Sequence, residues 1–272
     1  MPLPRASTPE GQAGLDAILA APATALIASD FDGTLSPIVP DPADARAYPG
    51  AADALSQLAE FAGTIAIITG RPAADAVALG GLAGVPGLIV LGHYGAERWQ
   101  AGNVTSTSVA GGAAEACRLL PGILAEAGAP DGVRIEDKGT AVGVHTRQAA
   151  DPLGALDLLR APLESLARRT GLTVEPGRYV LELRQPGVDK GAALQGLAAE
   201  RAATSVLFCG DDLGDLAAFA AVRELRAEGV PGCTVASASP EARAVAEAAD
   251  LIVDGPPGIV ALLTALAATL AA

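Results

Sequence analysis

Six short runs of mainly apolar and β-branched residues recur along the chain, and most are separated by stretches with helical patterning. They are residues 23–31, 64–70, 87–94, 204–212, 233–238 and 250–255. The runs are almost continuously apolar, which is typical of parallel strands buried on both faces. Strands of this kind alternating with helices predict an α/β fold with a doubly wound, Rossmann-like parallel sheet.

The segments between these runs carry helix signals. Residues 51–62 follow Pro49 and place Leu55, Leu58 and Phe61 on one face. A serine and a proline at 239–240 supply an N-cap and a favourable first helical residue. We also predict helices over 191–203, 215–228 and 258–272.

Residues 105–184 break this alternation. Two predicted helices are each followed by a predicted antiparallel hairpin, which gives the order α-β-β-α-β-β. The helices span 112–127 and 152–169, and the hairpins span 133–147, with its turn at Lys138-Gly139, and 172–184, with its turn at Pro176-Gly177. This order predicts an α+β cap inserted into the α/β core.

The domain prediction follows from that insertion. We expect a core made of residues 1–106 and 185–272, with the cap spanning 107–184.

Composition and charge exclude several classes of function. The 272 residues carry a formal net charge of −13 and no Lys/Arg run, which argues against nucleic acid and anionic membranes as partners. Three widely spaced cysteines without metal-ligand spacing argue against a disulfide framework. The N-terminus lacks a signal-peptide pattern, and the C-terminal apolar run is shorter than the roughly 20 residues of a membrane span. We therefore expect a cytoplasmic protein, and we expect a monomer.

An aspartate-rich motif follows the first predicted strand. Asp30 and Asp32 are two residues apart, so an extended backbone places both carboxylates on one side, and Gly33 then allows the chain to turn. Asp and Gly are also common turn residues, so this motif alone is equally compatible with a simple strand end. A second acidic cluster at 210–215, GDDLGD, ends the fourth predicted strand. Carboxylates from both clusters at one sheet edge predict a Mg²⁺ site.

Two further residues complete a catalytic pattern. Thr69 ends the second predicted strand, in IITGR, and Lys190 stands at the start of a predicted helix. Together with the two acidic clusters, these pieces resemble the signature of the haloacid dehalogenase superfamily of phosphotransferases.

The resemblance implies a role for each residue. Asp30 is the nucleophile that forms an aspartyl-phosphate, and Asp32 is the general acid and then the base. Thr69 and Lys190 hold the phosphoryl oxygens. The implied Mg²⁺ ligands are Asp30, the main-chain carbonyl of Asp32, Asp211 and Asp215.

Motifs in the cap and core together are similar to the trehalose-6-phosphate phosphatase family. They are DFDGTLSPIVPDPADA (30–45), IITGR (67–71), GHYGAERW (92–99), IEDKGTAVGVHTR (135–147) and GRYVLELRQPGVDKG (177–191). On this resemblance Glu136, Lys138 and Glu182 bind sugar hydroxyls, and His145 and Arg147 support the same surface.

Several of these residues also have a plain structural reading. Glu136, Lys138 and Arg147 could form an ordinary solvated cross-strand charge set. Arg71, a candidate substrate-binding cation, could instead cap its strand end or form a salt bridge near it.

The resemblance implies a Mg²⁺-dependent phosphatase that hydrolyses trehalose 6-phosphate to trehalose and inorganic phosphate. The alternatives are a phosphatase of another sugar phosphate, such as sucrose 6-phosphate or a glycosyl-phosphoglycerate, and a non-catalytic sugar-phosphate-binding regulator. One segment departs from the family pattern, because this chain has Gly214, Leu216 and Ala217 where the family usually has Thr, Glu and Asp.

Overall fold

The computed structural model of the chain describes residues 2–106, 111–139, 141–177, 179–238 and 243–272. Its contacts divide the chain into two units. Unit 1 consists of Met1–Ser106 and Asp189–Ala272, and unit 2 is Thr107–Val188. The second junction lies four residues beyond the predicted 184/185 boundary. Residues 185–188 form a turn in which the Val188 N–H donates to the Gln185 carbonyl at 3.3 Å.

The strands are β1 Ala25–Ser29, β2 Thr64–Ile68, β3 Ile89–Gly92, β4 Glu97–Gln100, β5 Asn103–Ser106, β6 Arg134–Asp137, β7 Val142–His145, β8 Thr173–Gly177, β9 Val180–Arg184, β10 Ser205–Gly210, β11 Gly232–Ser237 and β12 Leu251–Val253. The helices are α1 Pro9–Ala20, α2 Ala51–Leu58, α3 Ala73–Gly80, α4 Gly111–Glu126, α5 Pro152–Thr170, α6 Lys190–Glu200, α7 Leu216–Ala227, α8 Arg243–Ala248 and α9 Gly255–Leu270.

Unit 1 is built on one mixed sheet. Among the described residues its strand order is β12-β11-β10-β1-β2-β3-β4-β5, and the pairs from β12 to β3 are parallel. The central strand β1 is buried along its whole length. Its Ala25 and Ile27 face one apolar layer, and Leu26 and Ala28 face the other. Alternate residues therefore fill two cores, which explains the continuous apolar run and confirms the doubly wound α/β prediction.

The two layers are formed by helices from different parts of the chain. Residues of α1, α2, α3 and α9 pack on one face of the sheet, and residues of α6, α7 and α8 pack on the other. The predicted closing helix is α9, which packs against α2. The predicted start of α8 at Ser239-Pro240 lies outside the described residues.

The sequence reasoning missed several elements of unit 1. The sheet continues past β3 with the antiparallel pair β4 and β5, and α1 and α3 were not predicted. β5 reads NVTS and is exposed throughout, so it has no apolar pattern to mark it as a strand.

Unit 2 has an antiparallel sheet in the order β6-β7-β9-β8. Val142, Val144, Leu181 and Leu183 alternate along β7 and β9 and share a core with residues of α4 and α5. The predicted α-β-β-α-β-β order is therefore present.

The predicted turn at Pro176-Gly177 is wrong. Both residues belong to β8, and Gly177 pairs with Val180, so the strand continues through the predicted turn. Tyr179, just before β9, takes a positive φ of 56°. Because β8 is an edge strand of the unit 2 sheet, Pro176 can lie within it although it has no N–H to donate.

No helix among the described residues combines the length and the apolar character that crossing a membrane requires.

A buried aspartate joins the first helix to the far edge of the unit 1 sheet. The Asp250 carboxylate accepts hydrogen bonds from Thr8 Oγ1 at 2.5 Å and from the Thr234 amide and hydroxyl at 2.8 Å each, and it pairs with Arg226. Burial alone would raise the pKa of Asp250. The hydrogen bonds from Arg226, Thr8 and Thr234 outweigh burial and hold that pKa below its ordinary value.

We expect Asp250→Ala to lower the free energy of unfolding by about 3 kcal/mol at neutral pH, because it leaves Arg226 and Thr234 without their buried acceptor. Since the folded-state pKa is lowered, the contribution is complete above the unfolded pKa of about 3.9 and is lost as pH falls through the folded value. Thermal unfolding from pH 7 to pH 2 tests this. The exposed Asp254→Ala is the control, with an expected loss below about 1 kcal/mol. An equal loss of unfolding free energy in both variants would contradict this role of Asp250. So would a stability difference between Asp250→Ala and the wild type that does not change with pH.

Candidate active site

Three of the predicted catalytic residues follow neighbouring strands of unit 1. Asp30 comes directly after β1, Thr69 after β2 and Asp211 after β10. Because β1 lies between β10 and β2 in a parallel arrangement, all three side chains belong to the same carboxyl edge of the sheet. The Asp30 N–H donates to the Cys209 carbonyl at 2.8 Å, which continues the ladder by one residue and fixes the position of Asp30.

The turn after Asp30 requires a glycine. Gly33 has a φ of 76°, and a Cβ at this position would lie 2.0 Å from an oxygen of Asp211. Its carbonyl accepts a hydrogen bond from the Ser237 hydroxyl at 2.7 Å. The next residue, Thr34, donates its hydroxyl to Asp211 at 3.2 Å. The turn thus brings the first aspartate motif against the second.

A buried lysine joins the two motifs. Lys190, the first residue of α6, places its Nζ 2.9 Å from Asp30 Oδ1 and 2.7 Å from Asp215 Oδ1. No more than 5% of any of these three side chains is exposed. Oxygen atoms of Asp30, Asp211 and Asp215 lie within 4.8 Å of one another. The cluster therefore holds three carboxylates and one ammonium group away from water.

This charge imbalance shifts the ionisation of the carboxylates. Burial, with repulsion from Asp215 and Asp212, raises the pKa of Asp211 to about 8. Burial also raises the pKa of Asp30, although Lys190 opposes the shift. Burial disfavours the charged form of Lys190, but Asp215 and Asp30 outweigh it and raise the pKa of the lysine. The lysine thus stays charged, and the carboxylates have less positive charge around them than full ionisation needs.

The donor set fits a hard divalent cation. Carboxylate oxygens are the ligands that Mg²⁺ and Ca²⁺ bind in proteins, and a divalent ion here would balance the two carboxylates that Lys190 does not neutralise. Asp30 and Asp211 are the residues best suited to hold it. Asp215 Oδ2 already accepts hydrogen bonds from the Asp211 and Asp212 amides at 2.9 and 3.1 Å.

Asp32 has a different environment from Asp30. Its two carboxylate oxygens accept hydrogen bonds from Arg71 Nε and Nη2 at 2.6 and 2.7 Å, and about a third of its side chain is exposed. Arg71 also donates from Nη1 to the Pro42 carbonyl at 2.8 Å and lies 5.8 Å from the centre of the Phe31 ring. The salt-bridge reading of Arg71 is therefore confirmed, and its contact with substrate stays a prediction.

The departure from the family pattern is accommodated by the loop after β10. The Asp212 carboxylate accepts from the Gly214 N–H at 2.9 Å, and Asp215 accepts from the Asp212 amide, which together form a capping box before α7. These contacts close the turn without the side chains that the family usually has at positions 214, 216 and 217.

Thr69 and Arg147 make fewer contacts in the structure. Thr69 is buried, and its hydroxyl accepts a hydrogen bond from the Arg71 N–H at 3.2 Å. Arg147 lies exposed two residues after β7. The roles predicted for both residues stay predictions.

The predicted sugar-binding residues of unit 2 form a connected group on one face of its sheet. Lys138 Nζ lies 3.3 Å from Glu182 Oε2 and 3.8 Å from Glu136 Oε2, and His145 Nε2 lies 2.8 Å from that same Glu136 oxygen. Glu182 is 93% buried, whereas about half of the Glu136 side chain is exposed. The sequence reasoning named these four residues but not the order of their contacts.

Comparison with known proteins shows the family of this chain. The family model described as Trehalose-phosphatase matches residues 28–253. The trehalose-phosphate phosphatase of Mycobacterium leprae is 36% identical over 221 residues, which cover 74% of this chain and 48% of that protein. A protein of Mycobacterium tuberculosis named as an uncharacterized glycosyl hydrolase is 38% identical over 208 residues, which cover 71% of this chain and 15% of that protein. The chain thus spans half or less of the length of these two relatives.

A solved structure has the same fold. The trehalose-6-phosphate phosphatase of Aspergillus fumigatus superposes with a TM-score of 0.71 at 24% identity, and the match covers 98% of this chain and 100% of that one. At this identity, the likeness supports the fold alone.

Proposed function

The chain belongs to the trehalose-phosphatase family, and from that premise we propose that it is a Mg²⁺-dependent phosphatase that hydrolyses trehalose 6-phosphate to trehalose and inorganic phosphate. The observation that carries the proposal is the buried group of Asp30, Asp211 and Asp215 around Lys190 at the carboxyl edge of the unit 1 sheet.

The first half-reaction transfers the phosphoryl group to the protein. A carboxylate oxygen of Asp30 attacks phosphorus, and the bond between phosphorus and the sugar oxygen breaks. Asp32, protonated and released from its hydrogen bonds with Arg71, donates a proton to that oxygen, so trehalose leaves as a neutral alcohol. Lys190 and the Thr69 hydroxyl bind the phosphoryl oxygens, which lowers the repulsion between the incoming dianion and Asp30.

The second half-reaction releases phosphate. Asp32 accepts a proton from a water molecule as the water oxygen attacks phosphorus, and the bond to Asp30 breaks. This restores the Asp30 carboxylate and yields inorganic phosphate. The covalent intermediate divides one slow hydrolysis into two easier steps.

Bound at Asp30 and Asp211, with the main-chain carbonyl of Asp32, a Mg²⁺ ion would supply positive charge to both the nucleophile and the phosphoryl group. Asp215, which holds Lys190 and the loop after β10, would support this arrangement from within the fold.

The substrate assignment rests on unit 2. We propose that Glu136, Lys138 and Glu182 bind the sugar hydroxyls, since adjacent carboxylate and ammonium groups accept from and donate to neighbouring hydroxyls. A site built to hydrogen-bond several hydroxyls discriminates strongly against substrates that lack them.

Alanine variants of these three residues test the substrate. We expect Glu136→Ala, Lys138→Ala and Glu182→Ala each to lower kcat/KM for trehalose 6-phosphate by at least about 100-fold. Each change leaves sugar hydroxyls in the bound substrate without their hydrogen-bond partner. Turnover of p-nitrophenyl phosphate, which has no sugar, is expected to change by less than about threefold. Phosphate release and nitrophenol absorbance are the measurements.

The exposed ion pair between Arg118 and Glu115 on α4 provides the matched control, and Glu115→Ala is expected to leave both activities unchanged. Unchanged trehalose 6-phosphate turnover in all three alanine variants would mean that the substrate is another sugar phosphate, such as sucrose 6-phosphate or a glycosyl-phosphoglycerate. Binding of trehalose 6-phosphate with Mg²⁺ but without turnover would favour a regulatory module.

A further inference from the structure

Three residues stand side by side across the unit 2 sheet. Glu136 on β6 pairs with Gly143 on β7, and Gly143 pairs with Glu182 on β9. The residues that flank Gly143, Val142 and Val144, belong to the core shared with α4 and α5. Gly143 and its two neighbours in the row therefore lie on the opposite face of the sheet.

Gly143 is not required by the backbone, because its φ is not positive. A glycine within a central strand weakens the strand and often marks a place where another group approaches closely. Here a Cβ would lie 3.0 Å from His145 Nε2 and 3.6 Å from Glu136 Oε2. The space above Gly143 is thus taken by an imidazole ring and a carboxylate.

His145 reaches across this space. It lies two residues after Gly143 on the same strand and face, and its ring extends back to Glu136, where Nε2 and Oε2 are 2.8 Å apart. With the proton on Nε2, the imidazole donates to that oxygen. Lys138 Nζ approaches the same oxygen to 3.8 Å. A glutamate that is half exposed at a sheet edge is in this way held from two sides.

We propose that His145 is a positioning residue, which, together with the gap at Gly143, fixes the direction of the Glu136 carboxylate for a sugar hydroxyl. This inference rests on the proposed function. Binding a ligand through a mobile glutamate requires its side chain to be immobilised, which weakens binding. Because Glu136 is already held in the free protein, its side chain does not have to be immobilised when the sugar binds.

Two substitutions of one residue separate positioning from other roles. A glutamine amide reaches the place of Nε2 and can donate to Glu136, whereas an asparagine amide is too short. We expect His145→Asn to raise KM for trehalose 6-phosphate about tenfold, equivalent to about 1.4 kcal/mol, with kcat changed less than about twofold. His145→Gln is expected to stay within about twofold of the wild-type KM. Neither variant is expected to change turnover of p-nitrophenyl phosphate.

A substitution of Gly143 tests the same contact between His145 and Glu136. We expect Gly143→Ala to raise KM about as much as His145→Asn does, because the new Cβ displaces the ring from Glu136. Combining the two substitutions is expected to add little. Since glycine weakens a strand interior, the thermal midpoint of Gly143→Ala is expected not to fall.

The outcomes are distinct. A wild-type protein that hydrolyses trehalose 6-phosphate, with the same KM in all the variants, would overturn the inference alone. An equal rise in KM for the asparagine and glutamine variants would show that His145 itself binds substrate, which also overturns the inference. No hydrolysis of trehalose 6-phosphate by the wild type would overturn the proposed function, and the inference would fall with it.

Discussion

Asp30→Asn is expected to lower phosphate release from trehalose 6-phosphate by at least about 10⁴-fold, the order of loss seen when the nucleophile of a covalent mechanism is removed. An amide has nearly the shape of a carboxylate but cannot form the aspartyl-phosphate. The replacement also removes one of the two buried carboxylates that pair with Lys190, while Lys190 keeps its contact with Asp215. We therefore expect the thermal midpoint of the variant in EDTA to equal or exceed that of the wild type.

A loss of activity without a loss of thermal stability shows that the substitution removes the nucleophile and does not unfold the protein. Phosphate release and a thermal unfolding scan of the same preparation measure them together. Asp53→Asn, an exposed aspartate on α2, is the matched control and is expected to keep full activity. Residual activity of the Asp30→Asn protein within about tenfold of the wild type would contradict the role of Asp30 as nucleophile.

Lys190→Met is expected to cost about 3–5 kcal/mol of stability in the absence of metal, because it leaves Asp30 and Asp215 buried without their ammonium partner. The same change removes the cation that we assign to the phosphoryl group, so we expect activity to be lost as well. Because a divalent cation at Asp30 and Asp211 would restore positive charge to the cluster of aspartates, Mg²⁺ is expected to raise the thermal midpoint of this variant more than that of the wild type.

Thermal unfolding with EDTA and with a series of Mg²⁺ concentrations measures both expectations. Arg98→Met is the control, since Arg98 pairs with Glu200 at the surface and its loss is expected to cost less than about 1 kcal/mol. A stable Lys190→Met protein that Mg²⁺ does not affect would mean that the three aspartates do not form a charge cluster of the kind described.

The interior of the fold was predictable, and its periphery was not. The six runs that predict parallel strands correspond to β1, β2, β3, β10, β11 and β12. The first five of these strands are buried throughout and must therefore be apolar, whereas the edge strand β12 exposes Ile252. The hairpin of β4 and β5 was missed, since an exposed edge strand such as 103–106 carries no such requirement. The turn of the second unit 2 hairpin was misplaced, because Pro-Gly is a strong turn signal but the edge strand β8 tolerates both residues within it.

The candidate site shows a similar division. The common position of Asp30, Thr69 and Asp211 at one sheet edge was predictable, because each follows a strand of a parallel sheet. It could not show that Arg71 binds both oxygens of Asp32, or that His145 lies over Gly143, since such contacts depend on side-chain direction. Glu136, Lys138 and Glu182 came from family resemblance, and their hydrogen-bonded arrangement became visible only in the structure.

The most direct test is phosphate release from trehalose 6-phosphate, sucrose 6-phosphate, a glycosyl-phosphoglycerate and p-nitrophenyl phosphate in the presence of Mg²⁺. EDTA and the Asp30→Asn protein serve as controls. We expect trehalose 6-phosphate to be hydrolysed far faster than the other sugar phosphates, and we expect both controls to abolish the release. No release from trehalose 6-phosphate, or release that persists in EDTA and in the Asp30→Asn protein, would contradict the proposed function.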